Sequence, residues 1–365
     1  TLEFDRGSAA FREAVAESKF KDIPDFGEWA DGHILLQEHG SQVSFRSVKI
    51  HVLPANWPAP VYDFSRNPLS AEGVALGRRL FYDPILSADS TISCANCHLS
   101  YTAFTHVDHA LSHGIRGNIG TRNSMTLVNL AWSKSFMWDG AVNHLDMQAL
   151  APITNAVEMG ESAANVVQKL QRSADYRERF QAAFGKPVSG ELLLKALTQF
   201  ELTFISADSK YDQVMRHEEG VAFTEQERNG YALFQAHCNT CHREPLFTDG
   251  RYANNGLSLD TVLRDEGRMR ITHDPIDSLK FKVPSLRNVE FSGPYMHDGR
   301  FKKLAQVVAH YGDGIQQSPT LAPELLKPMK LSADAKVDLV AFLLTLTDKN
   351  FLFNPELAFP RKKMI

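Results

Sequence analysis

The chain has 365 residues, of which 43% are hydrophobic and 22% charged, and its formal net charge is −4. This composition is typical of a globular protein with one large domain or two to three ordinary domains, and it gives no sign of a nucleic-acid-binding surface. The longest apolar run, at residues 339–346, is too short to span a bilayer, so we expect no membrane span. The chain begins Thr1-Leu-Glu-Phe-Asp without a secretory signal, which we interpret as a mature N-terminus.

The predicted elements are mainly helices. Residues 1–65 lack a recognisable motif and are expected to form an N-terminal extension with a proline-containing linker near its end. Beyond them, Ser70 is predicted to cap a helix through Leu76 and Leu80. Apolar spacing or a capping box predicts further helices over Glu191–Ile205, after Thr224-Glu-Gln-Glu227, and over Ser332–Leu346. Residues 254–280 are polar and predict a long loop, so the whole pattern indicates an all-α fold with long loops.

All four cysteines lie in two copies of one motif, Cys94-Ala-Asn-Cys97-His98 and Cys238-Asn-Thr-Cys241-His242. Cys-x-x-Cys-His is the attachment signature of c-type haem, in which the thiols bond to the haem and the histidine binds iron. A redox dithiol does not need the histidine, and a four-cysteine zinc site usually pairs its knuckles within about 15–20 residues. The motifs therefore predict two covalent haem c groups with His98 and His242 as proximal ligands.

The two halves of the chain resemble each other beyond these motifs. Gly77-Arg-Arg-Leu-Phe81 precedes the first motif and Gly230-Tyr-Ala-Leu-Phe234 precedes the second. Residues 126–140 align without a gap to residues 285–299, with six of fifteen positions identical. We predict two cytochrome c-like haem domains in tandem, at residues 66–220 and 221–365.

The sixth position on each iron decides the chemistry. Leu304, Val308 and Tyr311 share one helical face, so Tyr311 is predicted to be buried, either as an ordinary core tyrosine or as an iron ligand. The duplication places Pro152 opposite Tyr311, and proline has no donor atom. If this position faces iron in both halves, the second haem is closed by a phenolate, while the first is open to peroxide.

Candidates for the pocket of the first haem follow in the chain. Glu158 is a candidate proton carrier for peroxide cleavage, although it could be a surface glutamate, and Gln148 is a weaker candidate. Trp138 lies opposite His297 in the duplication and is either an electron relay or a core aromatic. Three histidines could be iron ligands, pocket acids or solvent-facing loop residues: His106, His109 and His113.

These residues resemble the bacterial di-haem cytochrome c peroxidase superfamily over roughly residues 69–348. The resemblance rests on both haem motifs and on five further segments: Gly120-Thr-Arg-Asn123, Phe136-Met-Trp-Asp-Gly140, Ala156-Val-Glu-Met159, Phe281-Lys-Val-Pro-Ser-Leu-Arg-Asn288 and Pro294-Tyr-Met-His-Asp-Gly299. Ordinary peroxidases of this superfamily carry methionine fourteen residues after the histidine of the last segment. Tyr311 occupies that position, which resembles the MauG- and MbnH-like branch.

The resemblance implies roles for particular residues. Tyr311 would ligate the second haem and Trp138 would bridge the haems electronically. The distal side of the first haem would comprise Glu158, Gln148 and Pro152. A calcium ion between the haems would be held by Asn123 with carbonyl groups of Ser292 and Pro294. Since ordinary peroxidases carry a distal histidine close to the place of His113, that residue is a further candidate ligand of the first haem.

The same resemblance implies a periplasmic enzyme that uses hydrogen peroxide to oxidise a partner protein. The target would be a tryptophan, converted for example to kynurenine, by a high-valent state shared between the two haems. Ala236 departs from the pattern, because MauG has a surface tryptophan there that passes oxidising equivalents to the substrate. The alternative enzyme is a peroxidase that reduces peroxide to water with electrons from a small cytochrome or cupredoxin. A plain electron carrier with both irons closed is the non-enzymatic alternative.

Overall fold

The computed structural model describes residues 57–327 and 329–360. Most of the predicted N-terminal extension, including Pro54, lies outside the described residues. The described part is built mainly from helices: α1 Ala71–Tyr82, α2 Cys94–Cys97, α3 Leu145–Gln148, α4 Leu150–Thr154, α5 Ala163–Arg172, α6 Ala174–Phe184, α7 Gly190–Glu201, α8 Lys210–Met215, α9 Glu225–His237, α10 Met269–Thr272, α11 Leu304–Ala309, α12 Ala333–Leu344 and α13 Lys349–Leu352. Strands β1 (Tyr252–Ala253) and β2 (Phe281–Lys282) pair antiparallel, with Tyr252 opposite Lys282. This helix-rich architecture is consistent with the all-α prediction.

The long helices begin at the residues that their sequence predicts. The Ser70 hydroxyl accepts a hydrogen bond from the Gly73 amide at the start of α1. At the start of α9, Thr224 and Glu227 form the reciprocal capping box. The predicted helix over residues 191–205 ends early, at Glu201. There the chain turns, and the Phe204 carbonyl accepts a hydrogen bond from Asn129 instead of continuing the helix.

Two hydrophobic clusters form the core. The first packs α1 against α7, with Leu80, Phe81 and Phe200 fully buried, and the second packs α9 against α12 around Phe234 and Phe342. The C-terminal residues Phe351, Leu352 and Leu357 belong to the first cluster. The end of the chain therefore returns to the half of the molecule in which α1 lies.

Both helix pairs approach each other through a glycine. A Cβ atom at Gly77 would lie 1.9 Å from the Ala196 carbonyl oxygen, and one at Gly230 would lie 1.9 Å from the Asp338 carbonyl oxygen. Larger side chains would separate the helices, and so the glycines set their distance. Each glycine lies upstream of a Cys-x-x-Cys-His motif, so the contact fixes the helix that leads into that motif.

The paired segments of the sequence adopt the same backbone geometry. The Phe136 amide donates to the Val142 carbonyl and the Tyr295 amide donates to the Phe301 carbonyl, each at 2.7 Å. Inside these turns, the paired residues Met137 and Met296 both have positive φ, at 69° and 76°. A left-handed methionine is uncommon, so its occurrence at both matching positions shows that the duplicated segments share one fold.

Within the described residues, no helix is both long and apolar enough to cross a membrane.

Candidate haem sites

The first haem motif forms the short helix α2. Ser93 and Asn96 cap it reciprocally, and Cys94 and Cys97 do not form a disulfide. The Cys97 thiol donates to the His113 carbonyl over 3.4 Å. Burial raises the pKa of the Cys94 and Cys238 thiols to about 12, so these thiols are neutral and weakly nucleophilic as free groups. Such an environment suits a thioether better than a redox dithiol.

The two motif histidines are oriented in the same way. Nδ1 of His98 lies 2.6 Å from the Phe104 carbonyl oxygen, and Nδ1 of His242 lies 3.1 Å from the Pro284 oxygen and 3.3 Å from the Phe247 oxygen. A carbonyl at Nδ1 fixes the tautomer and leaves Nε2 available to a metal. Burial lowers the pKa of both imidazoles, which keeps them neutral as an iron ligand requires.

The zinc alternative lacks a ligand set. Among the described residues, no group of three or more histidine, cysteine, aspartate or glutamate side chains is placed to hold a metal ion.

A cavity of about 520 Å³ opens beside the first motif. This volume lies in the usual range for small-molecule and cofactor sites. The cavity brings together the residues that the sequence predicts for the first haem: Cys97, His98, Asn123, Trp138, Gln148, Pro152 and Glu158. Residues of the second half also line it, including Thr248 and Lys282. The cavity therefore extends from the first motif to the boundary between the two halves.

Glu158 occupies the edge of this cavity. It is partly buried, and one carboxylate oxygen accepts a hydrogen bond of 2.9 Å from the Asn155 side chain. Burial raises the pKa of Glu158, which lines the same cavity as the attachment residue Cys97. Gln148 is 9% exposed, with its amide nitrogen 3.9 Å from the Met137 sulfur. A carboxyl with a raised pKa beside a haem attachment point can transfer protons.

Trp138 connects the two halves. Its indole nitrogen donates to the Asn123 carbonyl over 2.9 Å, and its own carbonyl accepts a hydrogen bond from the Lys282 amide at 2.7 Å. The amide of Asn123 donates to the carbonyl of His297, the residue that the duplication pairs with Trp138. The His297 ring stacks on Phe281 with centroids 3.7 Å apart. Trp138 is thus buried at the position where segments of both halves meet.

Lys282 is a cavity residue that the sequence analysis missed. It is 8% exposed, its ammonium donates to the Ser135 carbonyl, and it lies 5.5 Å from the Phe136 ring centroid. Burial lowers the pKa of Lys282 to about 8, and no carboxylate pairs with it among the described residues. A buried cation needs a compensating anion. Since haem carries carboxylates, the cavity matches haem in charge as well as in volume.

Tyr311 lies beyond the end of α11. The chain stays helical through Tyr311 as predicted, but the regular α-helix ends at Ala309 and a wider π-helical turn spans His310–Gly314. The imidazole of His310 bonds to the Asn255 carbonyl at 2.9 Å, which holds this turn. Such widened turns are frequent at functional sites.

The Tyr311 phenol is held in a buried environment. Burial raises the pKa of Tyr311 to about 12, and a hydrogen bond with Asn255 acts in the opposite direction. The Asn255 carbonyl also bonds to His310, so this residue contacts both side chains at the start of the widened turn. Pro152, the counterpart of Tyr311, lies in α4 and lines the cavity of the first motif.

The three histidines after the first motif pack against one another with tilted rings. The ring centroids of His106 and His109 are 5.0 Å apart, and those of His109 and His113 are 4.1 Å apart. The carbonyl of His113 accepts the Cys97 thiol, but its ring is not part of the cavity lining described above. The role of His113 as a ligand of the first haem stays a prediction.

The residues proposed for calcium lie on separate segments. Asn123 donates from its side chain to the Ala110 carbonyl over 2.9 Å and lines the cavity. The Ser292 hydroxyl is 3.5 Å from the Val289 carbonyl, and Pro294 follows a cis peptide bond at Gly293. The calcium site stays a prediction.

Comparison with known proteins defines the class. Residues 71–220 match the family described as di-haem cytochrome c peroxidase. The chain is 36% identical over 292 residues to the methylamine utilization protein MauG of Methylorubrum extorquens, covering 77% of this chain and 79% of that protein. It is also 33% identical over 328 residues to cytochrome-c peroxidase IdrP1 of a Pseudomonas species, covering 80% and 86%. The chain therefore belongs to the di-haem cytochrome c peroxidase family.

Solved structures agree with this assignment. A MauG-like protein associated with microbial copper homeostasis superposes with a TM-score of 0.75 at 34% identity, over 85% of this chain and 98% of that protein. The di-haem peroxidase BthA from Burkholderia thailandensis shares the fold, with a TM-score of 0.67 at 24% identity. The protein is accordingly an oxidoreductase, its family implies two haem c groups and the use of peroxide, and the prediction of an enzyme is confirmed.

Proposed function

We propose that this protein uses hydrogen peroxide to oxidise a tryptophan of a partner protein, with kynurenine as one possible product class. The observation that carries this proposal is the contrast between Tyr311 and Pro152. Both follow the same duplicated turn, but a phenol at this position can close the second haem, whereas a proline has no donor atom and would leave the first haem open. The tyrosine also distinguishes the chain from peroxidases that carry methionine at this position.

When bound, the haems supply peroxide activation and the storage of two oxidising equivalents. In this proposal His98 and His242 hold the irons, each oriented through Nδ1 by a backbone carbonyl. Glu158 would move the proton of peroxide beside the first haem. Tyr311 would hold the second haem through an anionic oxygen, which favours an oxidised metal more than a thioether does.

The remaining cavity residues position and connect the two haems. Trp138 couples them because it is hydrogen-bonded to segments of both halves. Lys282 would balance a haem carboxylate in the cavity, whose lining also includes Gln148 and Pro152. We further propose a calcium ion held through Asn123 and a periplasmic location, where haem c is attached in bacteria.

Mass spectrometry of candidate periplasmic partners tests this function. The ferric enzyme and peroxide should add oxygen to, or remove hydrogen from, one tryptophan of the true partner. Peroxide alone, and the enzyme alone, are the controls. A candidate set that includes copper-handling proteins is a reasonable start, because one MauG-like structure is associated with copper homeostasis. Rapid decay of the oxidised enzyme to the ferric state, without a long-lived intermediate, would contradict the proposal.

The second candidate function is reduction of peroxide to water with electrons from a small cytochrome or cupredoxin. Relatives named as peroxidases favour it, including IdrP1 and the cytochrome c peroxidase Ccp of Escherichia coli, which is 37% identical over 239 residues. That match covers 64% of this chain and 51% of the relative. Fast turnover with a reduced small cytochrome, at rates above those with any protein substrate, would select this function.

A further inference from the structure

The proposed function requires a route for oxidising equivalents to leave the second haem. In the proposed function His242 and Tyr311 would both bind the second haem, so a partner's indole would not reach its iron. Ala236, at the exposed C-terminal end of α9, has no redox-active side chain. A route must therefore run through other side chains that connect the haem site to the surface, and this inference rests on the proposed function.

Two tyrosines converge on one carboxylate near the same end of α9. The Tyr211 hydroxyl donates to Oε1 of Glu244 at 2.5 Å, and the Tyr231 hydroxyl donates to the same oxygen at 3.0 Å. The Gln235 amide donates to the other carboxylate oxygen and, over 2.9 Å, to the Tyr231 hydroxyl. The Glu244 amide is held by the Asn239 side chain at 3.1 Å. The carboxylate is therefore fixed between the two phenols.

These tyrosines are in continuous contact with the second haem ligand. The Phe247 carbonyl accepts from Nδ1 of His242, and the Phe247 ring packs edge-on against Tyr211 with centroids 4.8 Å apart. The centroids of Tyr211 and Tyr231 are 6.3 Å apart. Tyr211 is 2% exposed, whereas Tyr231 is partly exposed and contacts the exposed Gln235. The sequence of contacts leads from the ligand to the surface.

In the other tyrosine–carboxylate hydrogen bonds of the described residues, each carboxylate accepts from one tyrosine only. The Tyr176 hydroxyl donates to Asp83 at 2.6 Å in the first hydrophobic cluster, and the Tyr62 hydroxyl donates to Asp146 at 2.7 Å. One acid serves one phenol in each of these pairs. Glu244 serves two phenols that are neighbours, so one carboxylate oxygen can exchange protons with both.

We propose that Tyr211 and Tyr231 carry oxidising equivalents from the second haem to the protein surface, with Glu244 as their shared proton acceptor. A tyrosine oxidised at neutral pH must lose its proton together with the electron, and a carboxylate in hydrogen-bond contact can accept it. The exit lies at the surface next to α9, where the partner's tryptophan would dock.

The electrons and protons balance along this route. Peroxide is the oxidant. Tyr211 would give one electron to the second haem after peroxide has oxidised it, while the phenol proton moves to Glu244. The phenoxyl radical of Tyr211 then takes an electron from Tyr231, Glu244 returns its proton to Tyr211, and the same carboxylate oxygen accepts the proton of Tyr231. Finally, the partner's indole gives an electron to the radical of Tyr231, which recovers its proton from Glu244.

The phenols are protonated at rest, as this route needs. Burial, together with the charge and hydrogen bond of Glu244, raises the pKa of Tyr231 to about 12 and that of Tyr211 further still. The two side chains are therefore oxidised as phenols and not as phenolates. Each loss of an electron is coupled to transfer of the phenol proton to Glu244.

Freeze-quench electron paramagnetic resonance of the ferric holoenzyme mixed with hydrogen peroxide tests the route. The wild type should form a tyrosyl radical whose spectrum narrows when ring-deuterated tyrosine is incorporated. Tyr231→Phe and Tyr211→Phe should each lower the radical yield and slow the decay of the oxidised enzyme at least tenfold, as should Glu244→Gln. Tyr176→Phe is the matched control, since it removes a buried phenol bonded to a carboxylate but lies in the first cluster.

The outcomes separate this inference from the function on which it rests. A long-lived oxidised state that decays equally fast in the wild type and in all three variants would overturn the route and leave the proposed function standing. A wild type with no long-lived oxidised state would overturn both. The narrowing of the wild-type radical spectrum needs no variant, so its absence contradicts the route even if a variant fails to fold.

Discussion

The segments 145–154 and 304–314 occupy matching places in the two halves but differ in one side chain that matters. Each follows a turn with a left-handed methionine and starts a helix at a buried leucine, Leu145 or Leu304. Seven residues later, the first segment has Pro152 on the cavity wall and the second has Tyr311 in a widened turn. The comparison teaches that one backbone, used twice, can present different side chains, which in the proposed function would give one open metal face and one closed.

Two other pairs also differ between the halves. Trp138 stands where the second half has His297, and the buried acid Glu201 in α7 stands where the matching helix α12 has Leu343. The two halves therefore carry different titratable and redox-active side chains at matching positions.

The largest effect is expected from removing the oxygen donor of the second half. Tyr311→Phe should abolish the long-lived oxidised state and lower partner oxidation on the order of 100-fold, because the second haem loses its anionic ligand. Absorption spectra after peroxide addition measure this. Tyr311→Met should keep the second haem six-coordinate yet still lose the stored state. If the absorption spectra of Tyr311→Phe after peroxide addition match those of the wild type, this tyrosine is only a core residue.

The next largest effect is expected at the proton carrier of the first half. Glu158→Gln should slow the reaction with peroxide about 100-fold, the usual contribution of a general base. Burial raises the pKa of Glu158 above its ordinary 4.5, and the carboxylate is the active form. The wild-type rate should therefore rise as the pH rises through that raised pKa, and stopped-flow rates between pH 4 and 8 measure this. A flat profile in the wild type would remove Glu158 from the mechanism.

The open face of the first half can be closed by design. Pro152→Tyr should place a phenol where the second half has one and slow the reaction with peroxide about tenfold or more, because peroxide then competes with a protein ligand. Stopped-flow rates measure this as well. Thr154→Tyr, at an exposed position of the same helix, is the control for the added ring. Equal rates in both variants would mean that residue 152 does not face the iron.

A smaller effect is expected at the buried lysine of the cavity. Lys282→Met should lower the reduction potential of the haem in the cavity, because a positive charge that stabilises the reduced, more negative state is lost. Lys282→Arg keeps the positive charge and should retain a reduction potential close to that of the wild type. A spectroelectrochemical titration measures both. The loss of a charge-assisted hydrogen bond should also cost about 1–3 kcal/mol of stability. An unchanged potential in Lys282→Met would show that its counter-charge is not a haem carboxylate.

The smallest effect on haem chemistry is expected at Glu201, which is 3% exposed. Burial raises its pKa to about 8. Between pH 4.5 and about pH 8, Glu201 is protonated in the folded state and ionised in the unfolded state. The free energy of unfolding therefore falls as the pH rises through this range. Denaturant titrations at pH 5 and pH 8.5 measure this. Between these pH values the free energy of unfolding of the wild type should fall by a few kcal/mol more than that of Glu201→Gln. Equal pH dependence in both proteins would contradict a buried, protonated Glu201.

The sequence predicted the parts of this molecule that are set by local patterns. The caps at Ser70 and Thr224 follow from residues close together in the chain. The haem motifs and the pairing of Pro152 with Tyr311 could also be found by comparing the halves. These features depend on short-range spacing, which a single sequence displays directly.

Other features depend on packing between distant segments and could not be predicted in this way. The burial of Lys282 results from contacts with Ser135 and Phe136, far away in the sequence. The convergence of Tyr211 and Tyr231 on Glu244 requires α8, α9 and the loop after the second motif to meet. The early end of α11 is likewise set by the contact of His310 with Asn255.

Electron paramagnetic resonance of the resting ferric holoenzyme tests the central contrast most directly. The account predicts two distinct signals: a high-spin haem with an open face, and a six-coordinate haem whose signal changes in Tyr311→Phe while the high-spin signal does not. Two six-coordinate low-spin haems in the wild type, or two signals that are both unaffected by Tyr311→Phe, would contradict it.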